Sequence, residues 1–329
     1  MRGAGFLFSL LLASSVAASQ SKPAPAPLPK AGKNAFGKSY YLLNIPGAYG
    51  PSKKFGLIVM LHGSGGRPEN YAGVFGAAPN KDYFTCLPAS NNPAGYNPKE
   101  DGDQIVGMIE ELLRNFSIDR DRILIAGHSA GGFMTCALTA QRPDLFTAAA
   151  PVSGCLLDGT DKRLLHIPFY VISGKQDFNH AQAAQSVEKM KQAGMDVKFD
   201  DPDGWGHNPG PEAFSRVFTW FDSLCPADQL AALQGARAHL SAERFGKAAQ
   251  AAKKLAGQKN GSSYAKKRVE AVLAEIEAAA QKEIDAANAA DDPKKAATLW
   301  SKAKMSFEGS DQAEKIKVAY EEYRKKSEK

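Results

Sequence analysis

Residues 122–132 read Arg-Ile-Leu-Ile-Ala-Gly-His-Ser-Ala-Gly-Gly and join an apolar run to a glycine-rich turn. The run at 122–126 predicts a β-strand, and Ala130–Gln141 predicts a helix. Between them stands the pattern G-x-S-x-G, whose glycines allow a very tight strand-to-helix turn. Such a turn exposes the Ser129 hydroxyl above the end of the strand, near the positive end of the helix dipole. We therefore predict that Ser129 is a nucleophile; the alternative is a glycine-rich turn with a capping serine.

Apolar strand-like runs alternate with helical patterns through most of the chain. Several of these runs are continuously apolar, as expected when helices cover both faces of a sheet. We predict an α/β fold with a mostly parallel sheet covered by helices on both faces, followed by an all-helical C-terminal segment. The predicted strands are Tyr40–Ile45, Leu57–Leu61, Tyr83–Pro88, Ile123–Ala126, Ala148–Val152, Phe169–Ser173 and Val197–Asp200. The predicted helices are Pro68–Phe75, Gln104–Phe116, Ala130–Gln141, Ala181–Ala193 and Pro211–Leu224.

A serine nucleophile needs a base, and the base needs an orienting acid. Asp177 lies just past the predicted strand Phe169–Ser173, and His207 lies in a loop past the last predicted strand. Ligands on parallel sheets bind beyond the carboxyl ends of the strands, where both positions fall. We therefore predict a triad of Ser129, Asp177 and His207.

Other side chains compete for the acid and base roles. His166 precedes its strand and falls at the wrong end of the sheet, whereas His180 follows Asp177 too closely to face it across a site. An N-cap role for Asp177 and a solvated loop position for His207 remain the alternative interpretations. The rival carboxylates are Asp144, Asp158 and Asp161, each in a less suitable position relative to its strand or helix.

A second glycine-rich stretch, His62-Gly63-Ser64-Gly65-Gly66, follows the predicted strand Leu57–Leu61. Negative charge that develops on a substrate carbonyl oxygen needs backbone N–H donors at such a place. We predict that the N–H groups of Ser64 and Ala130 supply them, with Gly63 as a further candidate. A flexible glycine loop and a phosphate cradle are the alternatives, but the stretch lacks the Lys-Ser/Thr ending of a P-loop.

These motifs resemble those of α/β-hydrolases of the secreted esterase type. That group includes phospholipase/carboxylesterases, dienelactone-hydrolase-like proteins, feruloyl and acetylxylan esterases and polyhydroxybutyrate depolymerases. The resemblance covers roughly residues 39–224 and implies hydrolysis of carboxylic esters through an acyl-enzyme, with no metal or organic cofactor. It makes Ser129 the nucleophile, His207 the base and then the acid, and Asp177 the residue that holds His207. It rests on His62–Gly66, Gly127–Gly132, Gly174–Asp177 and Gly206-His207.

The sequence shows no long insertion that would form a large lid. Its longest irregular stretch between the predicted elements is 89–103, rich in Asn, Pro and Gly. An open cleft and an accessible ester are therefore expected, and a lipase that acts at an oil interface is disfavoured. His62, His128, Trp205 and Tyr96 are candidate side chains for lining the substrate pocket.

Other functions fit parts of the sequence. A serine peptidase of the prolyl-oligopeptidase type shares G-x-S-x-G-G but usually carries an extra propeller or cap domain. A catalytically inactive hydrolase-fold binding protein is a further alternative, although the residue types of the triad and both glycine-rich stretches are present. We expect a small-molecule or polysaccharide-linked ester as substrate. The net charge of +6, from 41 basic and 35 acidic residues, is too mild and too mixed for a nucleic-acid binder.

The N-terminus predicts export. Arg2, an apolar run at 6–13 and small residues up to Ser19 have the three-part pattern of a signal peptide at 1–19. The run is too short to cross a bilayer comfortably, and a retained N-terminal anchor is the alternative. Proline at every second position of 23–29 predicts an extended linker over 20–35. We therefore expect a secreted or periplasmic protein without a membrane span after removal of the signal.

The composition changes at Pro226, which predicts a catalytic domain over 36–225 and a helical region over 226–329. Arg237–Leu255 predicts a helix hairpin, and a similar unit recurs at Ala287–Phe307, so the region resembles tetratricopeptide repeats. One alternative is a helical appendage that packs on the hydrolase or on a protein partner through its helices. The other is a solvated charged helix.

Cysteine usage leaves the pairing open. The chain has Cys86, Cys136, Cys155 and Cys225, and an exported protein can form disulfides from such residues. Buried free thiols are an equally good interpretation. Cys155 and Cys225 are the first pair to test. No CxxC spacing occurs, so a zinc site is not suggested.

Overall fold

A computed structural model describes residues 28–73, 82–208, 210–224, 226–259 and 261–327. The predicted signal peptide at 1–19, residues 20–27 of the predicted linker, Phe75 at the end of a predicted helix and Cys225 lie outside these residues.

The described residues form one sheet of eight strands in the order β1-β2-β4-β3-β5-β6-β7-β8. The first two strands pair antiparallel, β2 also pairs antiparallel with β4, and the remaining pairs are parallel. The carboxyl ends of the parallel strands therefore share one edge of the sheet. The strands are β1 (Gly32–Phe36), β2 (Ser39–Asn44), β3 (Phe55–Leu61), β4 (Tyr83–Pro88), β5 (Ile118–His128), β6 (Ala148–Val152), β7 (Phe169–Ile172) and β8 (Val197–Asp200).

Helices cover both faces of this sheet, as predicted. Three of them, α1 (Glu100–Asn115), α2 (Ala130–Gln141) and α3 (His180–Gln192), pack on one face, and α4 (Pro211–Ser223) packs on the other. Alternate residues of β3 enter the two layers, which explains its continuously apolar sequence. Among the described residues, short 3₁₀ helices occupy Pro68–Tyr71 and Lys162–His166.

Two features differ from the sequence prediction. β1 begins at Gly32, inside the stretch predicted as linker, and adds an antiparallel edge strand to β2. Within the described part of Pro68–Phe75, the helix is a single 3₁₀ turn that ends at Tyr71. The α/β fold with its mostly parallel sheet is confirmed.

The C-terminal region folds into five described helices with a core of their own. Their bounds are α5 (Ala227–Ser241), α6 (Phe245–Ala256), α7 (Ser263–Asn288), α8 (Pro293–Phe307) and α9 (Gln312–Ser327). Short turns join α5 to α6 and α8 to α7, at the two places where the sequence predicts helix hairpins.

This helical region contacts the start of β5. The buried carboxylate of Asp121 accepts hydrogen bonds from Arg237 Nε at 2.6 Å and Arg268 Nε at 2.8 Å. Asp119 accepts one from Gln234 at 2.8 Å. Because Ser129 follows the other end of β5, the helical region docks at the end of the sheet remote from the serine.

The thiols of Cys86, Cys136 and Cys155 are free and buried. Because the thiol of Cys155 is free, the suggested disulfide with Cys225 is not formed at Cys155. Its Sγ lies 3.8 Å from Cys136 Sγ. In the part of the chain that the structure describes, no helix is both long and apolar enough to cross a membrane.

Candidate active site

Ser129 occupies a strained turn between β5 and α2. Its φ of 54° and ψ of −115° lie in a region that non-glycine residues rarely adopt. A Cβ at Gly127 would stand 2.3 Å from the Gly131 carbonyl oxygen, and a Cβ at Gly131 would stand 2.4 Å from that of Leu61. Both glycines are thus required by close backbone packing. Since the Ser129 N–H donates to the Val152 carbonyl at 2.9 Å, neighbouring β6 holds the turn in place.

The structure brings Ser129, His207 and Asp177 into one hydrogen-bonded row. His207 Nε2 lies 2.8 Å from Ser129 Oγ, and Nδ1 lies 2.8 Å from Asp177 Oδ1. An ionised carboxylate only accepts hydrogen bonds, so Nδ1 carries the proton and Nε2 accepts the serine hydroxyl. This arrangement lets the imidazole take the proton of the hydroxyl as the oxygen attacks an electrophile.

The carboxylate of Asp177 is fully buried and has several donors. Oδ1 also accepts the backbone N–H of Asn179 at 2.9 Å, and Oδ2 accepts the Ser173 hydroxyl at 3.1 Å. Burial alone would raise the pKa of Asp177, but the Asn179 N–H and His207 hold that pKa below its usual value. The acid is therefore ionised at neutral pH and fixes the orientation of the imidazole.

Two backbone N–H groups beside the serine are open to a ligand. In the described part of the chain, neither Ser64 N–H nor Ala130 N–H is used in a hydrogen bond. The third predicted donor differs, because Gly63 N–H already donates to the Tyr71 hydroxyl at 3.2 Å. The geometry thus favours Ser64 and Ala130 as the pair that can meet an oxyanion.

A second hydrogen-bonded path, which we call the Tyr71 relay, supports the histidine loop. The Tyr71 hydroxyl accepts from Gly63 N–H and donates to His128 Nδ1 at 2.9 Å, while His128 Nε2–H donates to the His207 carbonyl at 2.7 Å. Burial lowers the pKa of His128, although its bond to the His207 carbonyl opposes that shift. A neutral His128 can accept from Tyr71 and donate to the carbonyl at once.

The four predicted pocket residues have different surroundings. His62 is buried, with Nδ1–H donating to the Gly63 carbonyl at 2.9 Å and Nε2 accepting from Ser90 N–H at 3.2 Å. Tyr96 accepts from His62 N–H and donates to the Pro88 carbonyl at 3.0 Å. Both side chains therefore brace the glycine-rich loop.

Trp205 supports the loop that carries His207. The Arg216 guanidinium stacks on the Trp205 ring, 4.6 Å from its centroid. The Trp205 backbone packs closely on Gly174, because a Cβ added to Gly174 would stand 2.2 Å from the Trp205 carbonyl oxygen. His128 lines a cleft of about 180 Å³ with six other residues: Asn70, Tyr71, Asn208, Gly210, Pro211 and Phe214. Of the four, His128 is the one that borders this cleft.

Sequence reasoning missed two aromatic residues at the site. Tyr71 connects the glycine-rich loop to His128, and Phe178 stacks on the His207 ring with centroids 4.0 Å apart. The available signal for Phe178 was its position next to Asp177, whereas nothing local distinguishes Tyr71. No group of three or more His, Cys, Asp or Glu side chains is placed to hold a metal ion among the residues that the structure covers.

A family comparison matches residues 94–162 to the prolyl oligopeptidase family. That segment includes the Ser129 turn and amounts to about a fifth of the chain.

Curated relatives include several esterases. A probable feruloyl esterase C of Aspergillus terreus is 30% identical over 51% of this chain and 65% of its own length. A poly(3-hydroxyalkanoate) depolymerase C of Paucimonas lemoignei is 31% identical over 30% of this chain and 27% of its own length. An acetylxylan esterase of Coprinopsis cinerea is 30% identical over 30% of this chain and 31% of its own length.

The matched segments thus span less than two thirds of each relative. The resemblance to α/β-hydrolases of the esterase type is confirmed, and the described strands form the mostly parallel sheet expected of that fold.

Proposed function

We propose that this protein is a serine hydrolase that cleaves carboxylic esters through an acyl-enzyme. The observation that carries the proposal is the row from Asp177 through His207 to Ser129, with 2.8 Å at each step. Its position at the carboxyl edge of a parallel sheet is where such sheets bind ligands.

In the proposed reaction, Ser129 Oγ attacks the ester carbonyl carbon while its proton passes to His207 Nε2. The tetrahedral intermediate carries its negative charge on the former carbonyl oxygen, which Ser64 N–H and Ala130 N–H stabilise. One such donor is typically worth about 100- to 1,000-fold in rate. His207 then gives its proton to the alcohol oxygen as the C–O bond breaks, which leaves the acyl group on Ser129.

Hydrolysis of the acyl-enzyme completes the cycle, with water in place of the serine hydroxyl as the attacking group. His207 takes a proton from the water as it attacks the acyl-enzyme, and returns that proton to Ser129 Oγ as the acid is released. Asp177 stays ionised throughout and stabilises the imidazolium that forms twice per turnover.

The relatives support the proposed substrate class. Feruloyl and acetylxylan esterases are among them, which supports a small-molecule or polysaccharide-linked ester. The N-terminal pattern supports export to the periplasm or the medium. The helical region at 226–329 is proposed as a tetratricopeptide-like appendage whose job is contact with the hydrolase or another protein.

A serine peptidase is the second candidate, because the prolyl oligopeptidase model matches the segment around Ser129. Both reactions use the same nucleophile and base, so the leaving group decides between them. Cleavage of amides at rates comparable to esters would favour the peptidase.

The test compares p-nitrophenyl acetate with a panel of aminoacyl-anilides on the wild type and on Ser129→Ala. Ester turnover that disappears in the variant supports the proposal, and anilide turnover that disappears supports the peptidase. Labelling by a fluorophosphonate reports whether the serine is activated at all. If the folded wild type shows neither turnover nor labelling, the chain is a binding protein and the proposal is wrong.

A further inference from the structure

A buried carboxylate that the proposed reaction does not use lies in the first turn of α1. Asp101 is 1% exposed and binds the loop at residues 90–97. Its Oδ1 accepts the backbone N–H and a side-chain N–H of Asn91, both at 2.8 Å, and its Oδ2 accepts the backbone N–H of Asn97 at 2.6 Å. A buried charge is costly unless it has such donors. Asp101 thereby ties both ends of this loop to α1.

The loop at 90–97 holds the glycine-rich stretch on both sides of Ser64. Before Ser64, the His62 N–H donates to the Tyr96 hydroxyl at 3.2 Å. After Ser64, the Gly65 N–H donates to the Pro93 carbonyl at 2.7 Å. The short backbone segment that carries the Ser64 N–H is therefore fixed to the loop at two points.

Gly95 brings the same loop against both candidate oxyanion donors, the N–H groups of Ser64 and Ala130. Its φ of 137° lies in the region that favours glycine. A Cβ at Gly95 would stand 3.2 Å from Ala130 Cβ and 3.4 Å from Ser64 Oγ. The Gly95 backbone thus packs beside both residues, so a shift of the loop would reach both donors.

We propose that Asp101 is a positioning residue for the oxyanion donors and acts through the loop at 90–97. This inference rests on the proposed function and adds a residue to its site. Oxyanion donors accelerate a reaction because they already point at the place where the negative charge develops. A misplacement of about 1 Å at a reaction centre can cost roughly 100-fold in rate. Asp101 itself touches no reacting atom; it keeps the loop in the position that orients Ser64 N–H and Ala130 N–H.

Asp101→Asn breaks this attachment with a side chain of nearly the same shape. Backbone N–H groups reach both carboxylate oxygens, so the NH₂ group of an asparagine must face one of them without an acceptor. Either the Asn91 end or the Asn97 end of the loop is then released. Asp103→Asn is the matched control, because Asp103 is exposed in the same turn of α1 and accepts from Gln141 instead of the loop.

The test compares p-nitrophenyl acetate with its thiono analogue, in which sulfur replaces the carbonyl oxygen, on the wild type and both variants. Sulfur accepts hydrogen bonds weakly, so the thionoester gains little from the oxyanion donors. In Asp101→Asn we expect kcat/KM for the ester to fall roughly 10- to 100-fold, less than the loss of a whole donor, and kcat/KM for the thionoester to change less than about 3-fold. Asp103→Asn should leave both values within about 2-fold of the wild type.

A second variant carries the test if thermal melting shows that Asp101→Asn does not fold. Asn91 is exposed, and Asn91→Ala removes one side-chain hydrogen bond to Asp101 while the backbone N–H remains. The ester should then lose roughly 3- to 10-fold in kcat/KM, again with little change for the thionoester.

The ratio of the two substrates decides the outcome. Equal losses on the ester and the thionoester would mean that Asp101 supports the fold without positioning the donors, and no loss on the ester in a folded variant would also overturn the inference. If the wild type hydrolyses neither substrate in a Ser129-dependent way, the proposed function fails, and the positioning role fails with it.

Discussion

Replacing Asp177 by asparagine removes the negative charge of the side chain. The amide can still form hydrogen bonds with all three partners of the carboxylate. Asp177 Oδ1 accepts from two N–H groups, those of Asn179 and His207, and Oδ2 accepts from the Ser173 hydroxyl. In Asp177→Asn the amide oxygen must take the place of Oδ1, because both partners there are donors. The amide NH₂ then faces the Ser173 oxygen, which can accept. Nδ1 of His207 therefore keeps its proton, and Nε2 can still act as the base.

The expected loss is thus the electrostatic stabilisation of the imidazolium. Two unit charges about 4 Å apart interact by about 4 kcal/mol at an effective dielectric constant of about 20. That energy corresponds to a loss of about 1,000-fold in kcat/KM. If the amide instead turned its NH₂ toward His207, the imidazole would hold the wrong tautomer, and the loss would approach about 10,000-fold.

The assay is kcat/KM on p-nitrophenyl acetate for the wild type, Asp177→Asn and the Ser129→Ala blank, with thermal melting to verify folding. A second variant, Asp177→Asn with Ser173→Ala, removes the acceptor that orients the amide and should lose more activity than Asp177→Asn alone. A folded Asp177→Asn protein with activity within about 10-fold of the wild type would refute the electrostatic role given to this carboxylate.

Three further predictions concern stability. Tyr71→Phe breaks the Tyr71 relay and leaves the buried Gly63 N–H without its acceptor. The free energy of unfolding in urea should therefore fall by about 1–3 kcal/mol. An unchanged free energy of unfolding would show that the relay does not stabilise the fold. Asp121→Asn leaves two guanidinium groups without their carboxylate and should cost about 3–5 kcal/mol. Burial would raise the pKa of Asp121, but its two arginines hold that pKa below the usual value. In the wild type, the ionised Asp121 should therefore stabilise the folded state fully above about pH 4, the pKa of Asp in the unfolded chain. That stabilisation should be lost as the pH falls through the lower pKa of Asp121 in the folded protein. Chemical denaturation at several pH values measures both the cost of Asp121→Asn and the pH dependence of the wild type. An Asp121→Asn protein as stable as the wild type at pH 7 would contradict the stabilising role of Asp121. Gly131→Ala places a Cβ 2.4 Å from the Leu61 carbonyl oxygen and should melt far lower than Gly47→Ala, whose Cβ meets nothing within 4 Å; equal melting temperatures would refute the close packing.

Local sequence patterns predicted most of the parallel sheet. Continuous apolar runs are a strong signal for strands buried on both faces, and Tyr83–Pro88, Ala148–Val152 and Val197–Asp200 have the predicted bounds. The position of a residue relative to a strand end also placed Asp177 and His207 at one edge of the sheet. The hydrogen bonds that join Asp177 to His207 and His207 to Ser129 follow from that placement, and the catalytic roles of these residues remain predictions.

The same local patterns could not predict contacts between segments that are distant in the sequence. β1 has no apolar periodicity and exists through its pairing with β2. Tyr71 forms a hydrogen bond with His128, which lies 57 residues away in the sequence. The Tyr71 hydroxyl also accepts from Gly63 N–H, which the sequence analysis named as a candidate donor to the substrate. Such side-chain contacts depend on how loops fold over the sheet, which composition and spacing do not encode.

The proposed ester hydrolysis requires that Ser129 becomes acylated during turnover. The direct measurement is rapid quenching of the enzyme with p-nitrophenyl acetate, followed by mass spectrometry of its peptides. We expect a transient acetyl group on the peptide that contains Ser129, no such group in Ser129→Ala, and none in a His207→Ala protein under the same conditions. Turnover without any acyl group on this serine, or an acyl group on another residue that carries the activity, would show that Ser129 is not the nucleophile.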